Sequence, residues 1–345
     1  MAYSAILKPS TLMNTKLYTG NGGTNAQTGV GFQPDWVWLK QRSGSASSNK
    51  LYDSVRGTTK YIASNNDGAE ATDSNGLTAF GTDGFTVGSS AGTNANNETY
   101  VGWNWKAGTS FSNSAGANGA SLASTGSVNT TSGFSIISFA GASAVSTVAH
   151  GLGVAPKMMI FKNRSDADHW GVYHQSLGSN AAMYLNLTGA VDGTLWNNTA
   201  PTTSVFTVQN NSAVNGSGNN IIAYCFAEKQ GYSKFGSYTG NGNADGTFVY
   251  TGFKPAFLIT KKTNGSSGWQ IRDNKRTPAG NLTNNLLNAN ATSAEQTTDG
   301  IDILSNGFKF RNTAGDNNAS GRKYAFFAYA EQPFVTSTGI PATAR

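Results

Sequence analysis

The chain has 345 residues, 38% of them hydrophobic and 12% charged, with 42 Gly, 18 Phe, 13 Tyr and 7 Trp. So many aromatics exclude a disordered chain, and so few charges among so many turn-forming residues argue against long helices and for compact β structure. The net charge of +6 is spread thinly over positions such as Lys40, Arg56, Lys157, Arg276 and Arg322, which argues against a basic stripe for nucleic acid.

Residues 1–9 contain no basic stretch leading into an apolar run, and no segment approaches the ~18 apolar residues of a membrane span. The expectation is a soluble protein made without a secretory leader and not inserted in a membrane. Cys225 is the only cysteine and lies in an apolar run, so it reads as a small buried hydrophobe with no disulfide framework around it.

In chain order, one pattern occurs three times. It opens on an aromatic followed by a Gly turn: Tyr18-Thr19-Gly20-Asn21-Gly22, then Phe139-Ala140-Gly141, then Tyr238-Thr239-Gly240-Asn241-Gly242. A Gly-x-x-Pro then leads into a short apolar strand ending in Lys, from Pro34 to Lys40, Pro156 to Lys162 and Pro255 to Lys261. Proline at the first strand position needs no ladder donor, so these read as central core strands. A second aromatic strand follows, and copies one and three share Asp-x-x-Arg there (Asp53/Arg56 and Asp273/Arg276), read as a charge pair holding a turn. Each copy then has a strand at Gly84-Phe85, Val205-Phe206 or Gly307-Phe308, an Asn-rich loop and a strongly apolar closing strand.

The predicted fold is all-β: three tandem antiparallel β-sandwich modules, jelly-roll or concanavalin-like, over residues 1–108, 133–230 and 231–333. Residues 109–132, rich in Ser, Gly, Ala, Asn and Thr, read as a flexible linker that lets the first module move. The second and third modules are expected to pack rigidly, and residues 334–345 to form an extended arm.

No nucleophile, base and orienting group occur in a catalytic context, and no cofactor is expected. Most tryptophans fall on predicted core strands. Trp196 stands outside the repeat among polar residues, so Trp196, Asn197 and Asn198 are the candidate exposed contact, suited to a sugar face. Asp166, Asp168 and His169 are the candidate metal cluster, set against the simpler reading of a solvated Asp turn.

The ordered motifs Tyr-Thr-Gly-Asn-Gly, Gly31-Phe32-Gln33-Pro34-Asp35-Trp36, Leu51-Tyr52-Asp53-Ser54-Val55-Arg56-Gly57 and His150-Gly151-Leu152-Gly153-Val154-Ala155-Pro156 resemble repeat modules in fibre-like virion proteins of marine tailed bacteriophages. The resemblance covers nearly the whole chain and implies a non-enzymatic virion surface protein, made in the host cytoplasm, in a fibre or as capsid decoration. The first module begins near residue 14, which favours decoration or a knob over a fibre with an anchoring domain and shaft. The implied partners are other virion proteins of the capsid or tail, further copies of the chain in a homo-oligomer, and host-surface glycans met by loops such as residues 210–220. A glycan-binding adhesin is the alternative, and a glycan-degrading enzyme a more distant one.

Overall fold

A computed structural model of the chain describes residues 4–277 and 282–333. The fold is nearly all-β, and its strand ladders are antiparallel. The first repeat comprises β1 (Met13–Thr19), β2 (Asn25–Gln27), β3 (Trp36–Gln41), β4 (Lys50–Asp53), β5 (Gly57–Ala63), β6 (Ala71–Thr72), β7 (Leu77–Gly81), β8 (Gly84–Val87), the short helix α1 (Ala91–Asn94) and β9 (Thr99–Trp105). Its main sheet has the order β1-β9-β3-β4-β5-β6, with β2-β8-β7 as a smaller sheet.

The hairpin β10 (Thr109–Asn113) and β11 (Ser124–Asn129) precedes the second repeat. That repeat continues with β12 (Phe134–Ala140), β13 (Ser146–Ala149), β14 (Met158–Asn163), β15 (Gly171–His174), β16 (Met183–Tyr184), β17 (Val205–Val208), α2 (Ser212–Asn215) and β18 (Asn220–Phe226). The third repeat comprises β19 (Ser233–Thr239), β20 (Phe248–Tyr250), β21 (Phe253–Lys262), β22 (Gln270–Asp273), β23 (Leu282–Asn288), β24 (Gln296–Leu304), β25 (Gly307–Phe310) and β26 (Lys323–Pro333). The main sheets run β10-β11-β12-β18-β14-β15-β16 and β19-β26-β21-β22-β23-β24-β25-β20. In all three, the opening strand lies beside the closing strand, followed by the post-proline strand and the two after it.

One face of each main sheet packs within its own repeat, around Tyr18, Phe85 and Tyr100, around Phe161, Phe206 and Cys225, and around Tyr238, Phe308 and Tyr324. The opposite faces meet in a single shared core. Trp36, Trp38, Trp103 and Trp105 enter it from the first repeat, Phe134, Trp170, Tyr224 and Phe226 from the second, and Phe257, Trp269, Phe327 and Tyr329 from the third. Ring centroids are 4.6 Å apart for Trp36 and Tyr224, 5.3 Å for Trp105 and Phe257, and 6.1 Å for Phe226 and Phe327, so every pair of repeats is in contact. Burial on both faces explains why the post-proline strands carry unbroken apolar runs instead of alternation.

The pairing of β10–β12 and the shared core overturn two expectations. Residues 109–132 are not a flexible linker, because β11 pairs along β12 from Thr125↔Ser138 to Asn129↔Phe134 and β10 pairs with β11. Their small side chains serve close packing: a Cβ on Gly126 would lie 1.9 Å from the Ile136 carbonyl oxygen. The first repeat is likewise not free to move, since four of its tryptophans are buried against the other two repeats. The expected arm at 334–345 lies outside the described residues.

The Gly of the opening motif has a packing cause too. A Cβ on Gly20, Gly141 or Gly240 would approach a backbone oxygen to 2.0, 2.2 or 2.4 Å. The oxygens belong to Ala95, Gly216 and Ala319, each one residue beyond a fully buried Asn (Asn94, Asn215, Asn318) whose side chain ties the turn down.

Candidate functional site

The polar side chains of the repeats gather where one repeat meets the next. Lys40, Lys162 and Lys261, which end the post-proline strands, are at most 1% exposed. Lys40 donates to the Thr292 carbonyl in the third repeat, Lys162 to Asp67 in the first, and Lys261 to Thr188 and Gly189 in the second. Burial lowers each ammonium pKa from 10.5 to about 8, against a weaker opposing pull from Asp168, Asp67 and Asp166 at Lys162 and from Asp316 at Lys261. The residue before the next strand follows the same circuit: Asn49 donates to Asn288 and Ala291, Trp170 to Ala63 and Asn66, and Trp269 to Tyr184. The links therefore run from first to third, second to first and third to second, closing a ring.

At two junctions a chain of charges, buried at its Asp–Arg end and half-buried beyond it, accompanies these links. Between the first and second repeats, Arg56 binds Asp53 and Glu70, and Arg164 grips Glu70 with two nitrogens. Between the third and first, Arg276 binds Asp273 and Glu295, and Arg42 grips Glu295 in the same way. Each Asp also accepts from a ring of the neighbouring repeat, Tyr224 Oη to Asp53 at 2.7 Å and Trp103 Nε1 to Asp273 at 2.9 Å.

The junction between the second and third repeats lacks the whole chain of charges. Strand alignment puts His174 where Asp53 and Asp273 stand, and Leu177 in place of Arg56 and Arg276. Val191 N donates to Thr263 O, as Glu70 N does to Arg164 O and Glu295 N to Arg42 O, so Val191 and Thr263 replace the Glu and the second Arg. Phe327 takes the place of the donor rings Tyr224 and Trp103. The substitutions are mutually consistent, because a buried Asp without the Arg or the ring donor would be an uncompensated charge.

His174 shows how the site adapts. Its Nε2 faces the Phe326 carbonyl at 3.1 Å, which can only accept, so the ring carries its proton there and Nδ1 accepts from Ser176 Oγ at 2.7 Å. Burial lowers its pKa to about 4, with the Phe326 carbonyl opposing the shift, and keeps the ring neutral.

Where the charges are missing, the surface opens into a cleft of about 560 Å³. Leu177, Ala181 and Val191 supply its apolar wall, and Tyr238 and Thr263 lie along the third repeat. Ser176, Asn180, Ser237 and Thr239 add polar groups, and Lys323, the one cation of the lining, is exposed. Among the described residues Lys323 has no carboxylate partner.

The residues singled out from sequence lie elsewhere. Trp196 is 1% exposed, which overturns its reading as a surface contact: the indole packs on Phe161 and Tyr173 and donates to the Ala181 carbonyl. Asn197 and Asn198 are exposed in a turn of successive left-handed residues, φ 49° and 52°. Asp166 and Asp168 accept from Asn219, Asn163 and Ser212, while His169 Nδ1 faces the Asn186 amide. Asp166, Asp168 and His169 thus tie loops together, and among the described residues no group of three or more His, Cys, Asp or Glu is placed to hold a metal ion. The cleft was missed, although its signal was present: the second repeat alone breaks the Asp-x-x-Arg pattern, at His174 and Leu177.

No curated protein matches the chain. A single family model spans all three repeats as one unit, residues 8–333, and by that match the chain belongs to DUF7483, a family described as a domain of unknown function.

Proposed function

We propose that the chain is a non-enzymatic structural protein of a phage particle surface, in a fibre or as capsid decoration, that presents loops and a junction cleft from a rigid body. The observation that carries this reading is how the repeated polar residues are used. Lys40, Lys162, Lys261 and both Asp-Arg pairs are buried in linking one repeat to the next, so the repetition serves rigidity and display. The motif resemblance to virion fibre modules supports the same reading.

The test is direct. Mass spectrometry of purified particles should detect the chain at a fixed ratio to the major capsid or tail proteins, and cryo-electron microscopy should place it on the surface. Absence from particles, with the protein present in the infected cell, would overturn the proposal. The adhesin reading draws support from one observation, the cleft between the second and third repeats, and its loops near Asn197 and Asn198 remain part of that reading.

A further inference from the structure

The geometry points to the cleft between the second and third repeats as a binding site for an acidic saccharide, a pyranose unit bearing a carboxylate. This rests on reading the chain as a surface-binding protein and names the ligand class. The cleft's volume of about 560 Å³ falls within the range of small-ligand sites, roughly 300–1,000 Å³.

The lining specifies the chemistry. Ser176 Oγ gives its proton to His174 Nδ1, and Thr263 Oγ1 gives its proton to the Lys323 carbonyl. Both hydroxyls are left with acceptor capacity only, which suits the hydroxyl donors of a sugar. Asn180 and Ser237 have exposed side chains that can donate as well as accept. Leu177 and Val191 offer an apolar patch to the C–H face of a pyranose. Lys323 is the one charge of the lining, a match for a single carboxylate and too little for a polyphosphate.

Symmetry supplies the second argument. At the other two junctions the positions of Leu177, Val191 and Thr263 hold Arg, Glu and Arg, locked into one another. Only here are those groups replaced by smaller uncharged side chains that leave room, while His174, in place of the Asp, orients the Ser176 hydroxyl.

Isothermal titration of the purified full chain with the dimers of galacturonic, glucuronic and mannuronic acid, and with a neutral galactose dimer, tests the assignment. At least one acidic dimer should bind saturably, more weakly as salt rises, with the neutral dimer at least tenfold weaker. Lys323→Met should reduce the acidic dimer's affinity about tenfold or more, the effect of losing one charged hydrogen bond. Ser237→Trp, at an exposed position on the cleft, should abolish binding, and circular dichroism would establish that both variants fold. No binding of any acidic dimer, equal binding of the neutral one, or indifference to both substitutions would each overturn the proposal. A failure here leaves the virion assignment standing, because that is decided by particle composition.

Discussion

Three lysines on equivalent strands carry the sharpest residue-scale expectation. With folded pKa values of about 8 for Lys40, Lys162 and Lys261 and an unfolded value near 10.4, the unfolded chain holds protons that the folded chain has released. The contribution of these lysines to stability therefore rises with pH over about 8–10.4. Cys225, raised by burial, acts in the opposite sense but is one group against three, whereas Tyr18, Tyr52, Tyr100, Tyr173, Tyr184, Tyr224, Tyr232, Tyr238, Tyr324 and Tyr329, all raised by burial, oppose increasingly from about pH 9, where unfolded tyrosines begin to ionise. The urea midpoint should climb from pH 8 to about 9 and fall by about pH 10; a flat or falling profile across pH 8–9 would contradict the buried-lysine picture. Lys162→Met should weaken that climb and cost about 1–3 kcal/mol through the carbonyls it leaves unpaired. The recurrence of Lys was visible in the sequence. Its direction across a junction was not, because the acceptors lie on another repeat, 95 residues away for Lys162 and Asp67. Trp196 misled for a related reason: its chain neighbours are polar, whereas Phe161 and Tyr173, which bury it, reach it only through the fold.

At the scale of the element, the opening turns and the post-proline strands were legible because their causes are local. Gly240→Ala, placing a methyl 2.4 Å from the Ala319 oxygen, should destabilise by about 1–3 kcal/mol, measurable by urea unfolding. A loss under 0.5 kcal/mol would mean that the turn relaxes freely. Trp170→Phe keeps the ring in the shared core and removes the donor to Ala63 and Asn66, so it should cost a similar amount. The hairpin β10–β11 was not legible. Its Ser, Gly and Thr residues have the composition of a linker, and what makes them strands is the free edge of β12, which takes β11 as its neighbour. Composition reports how little a segment can bury by itself and says nothing of an edge waiting beside it.

On the scale of the whole molecule, the repeats form one cooperative body. Trp36, Trp38, Trp103 and Trp105 are buried by partners from the second and third repeats as well as by one another. Calorimetry should show a single transition, and a fragment of residues 1–108 should fail to fold alone. Two resolved transitions, or a stable fragment, would show that the first repeat is independent after all. The all-β class and the threefold recurrence were readable from sequence, while the ring was not, since nothing in a strand's apolar run says whether its second face meets a layer of its own repeat or a neighbour.

The ring also bears on stoichiometry. Three identical chains arranged in this way would have to repeat every junction, so any opening would appear three times and any stabilising charge chain would be lost three times. Joining the three units in one polypeptide frees a single seam to diverge while the other two keep their Arg–carboxylate locks. The chain can thus hold a junction recess at one seam and not at its counterparts, off axis and pointing in one direction, on a body whose rigidity is carried by its two charge-locked seams.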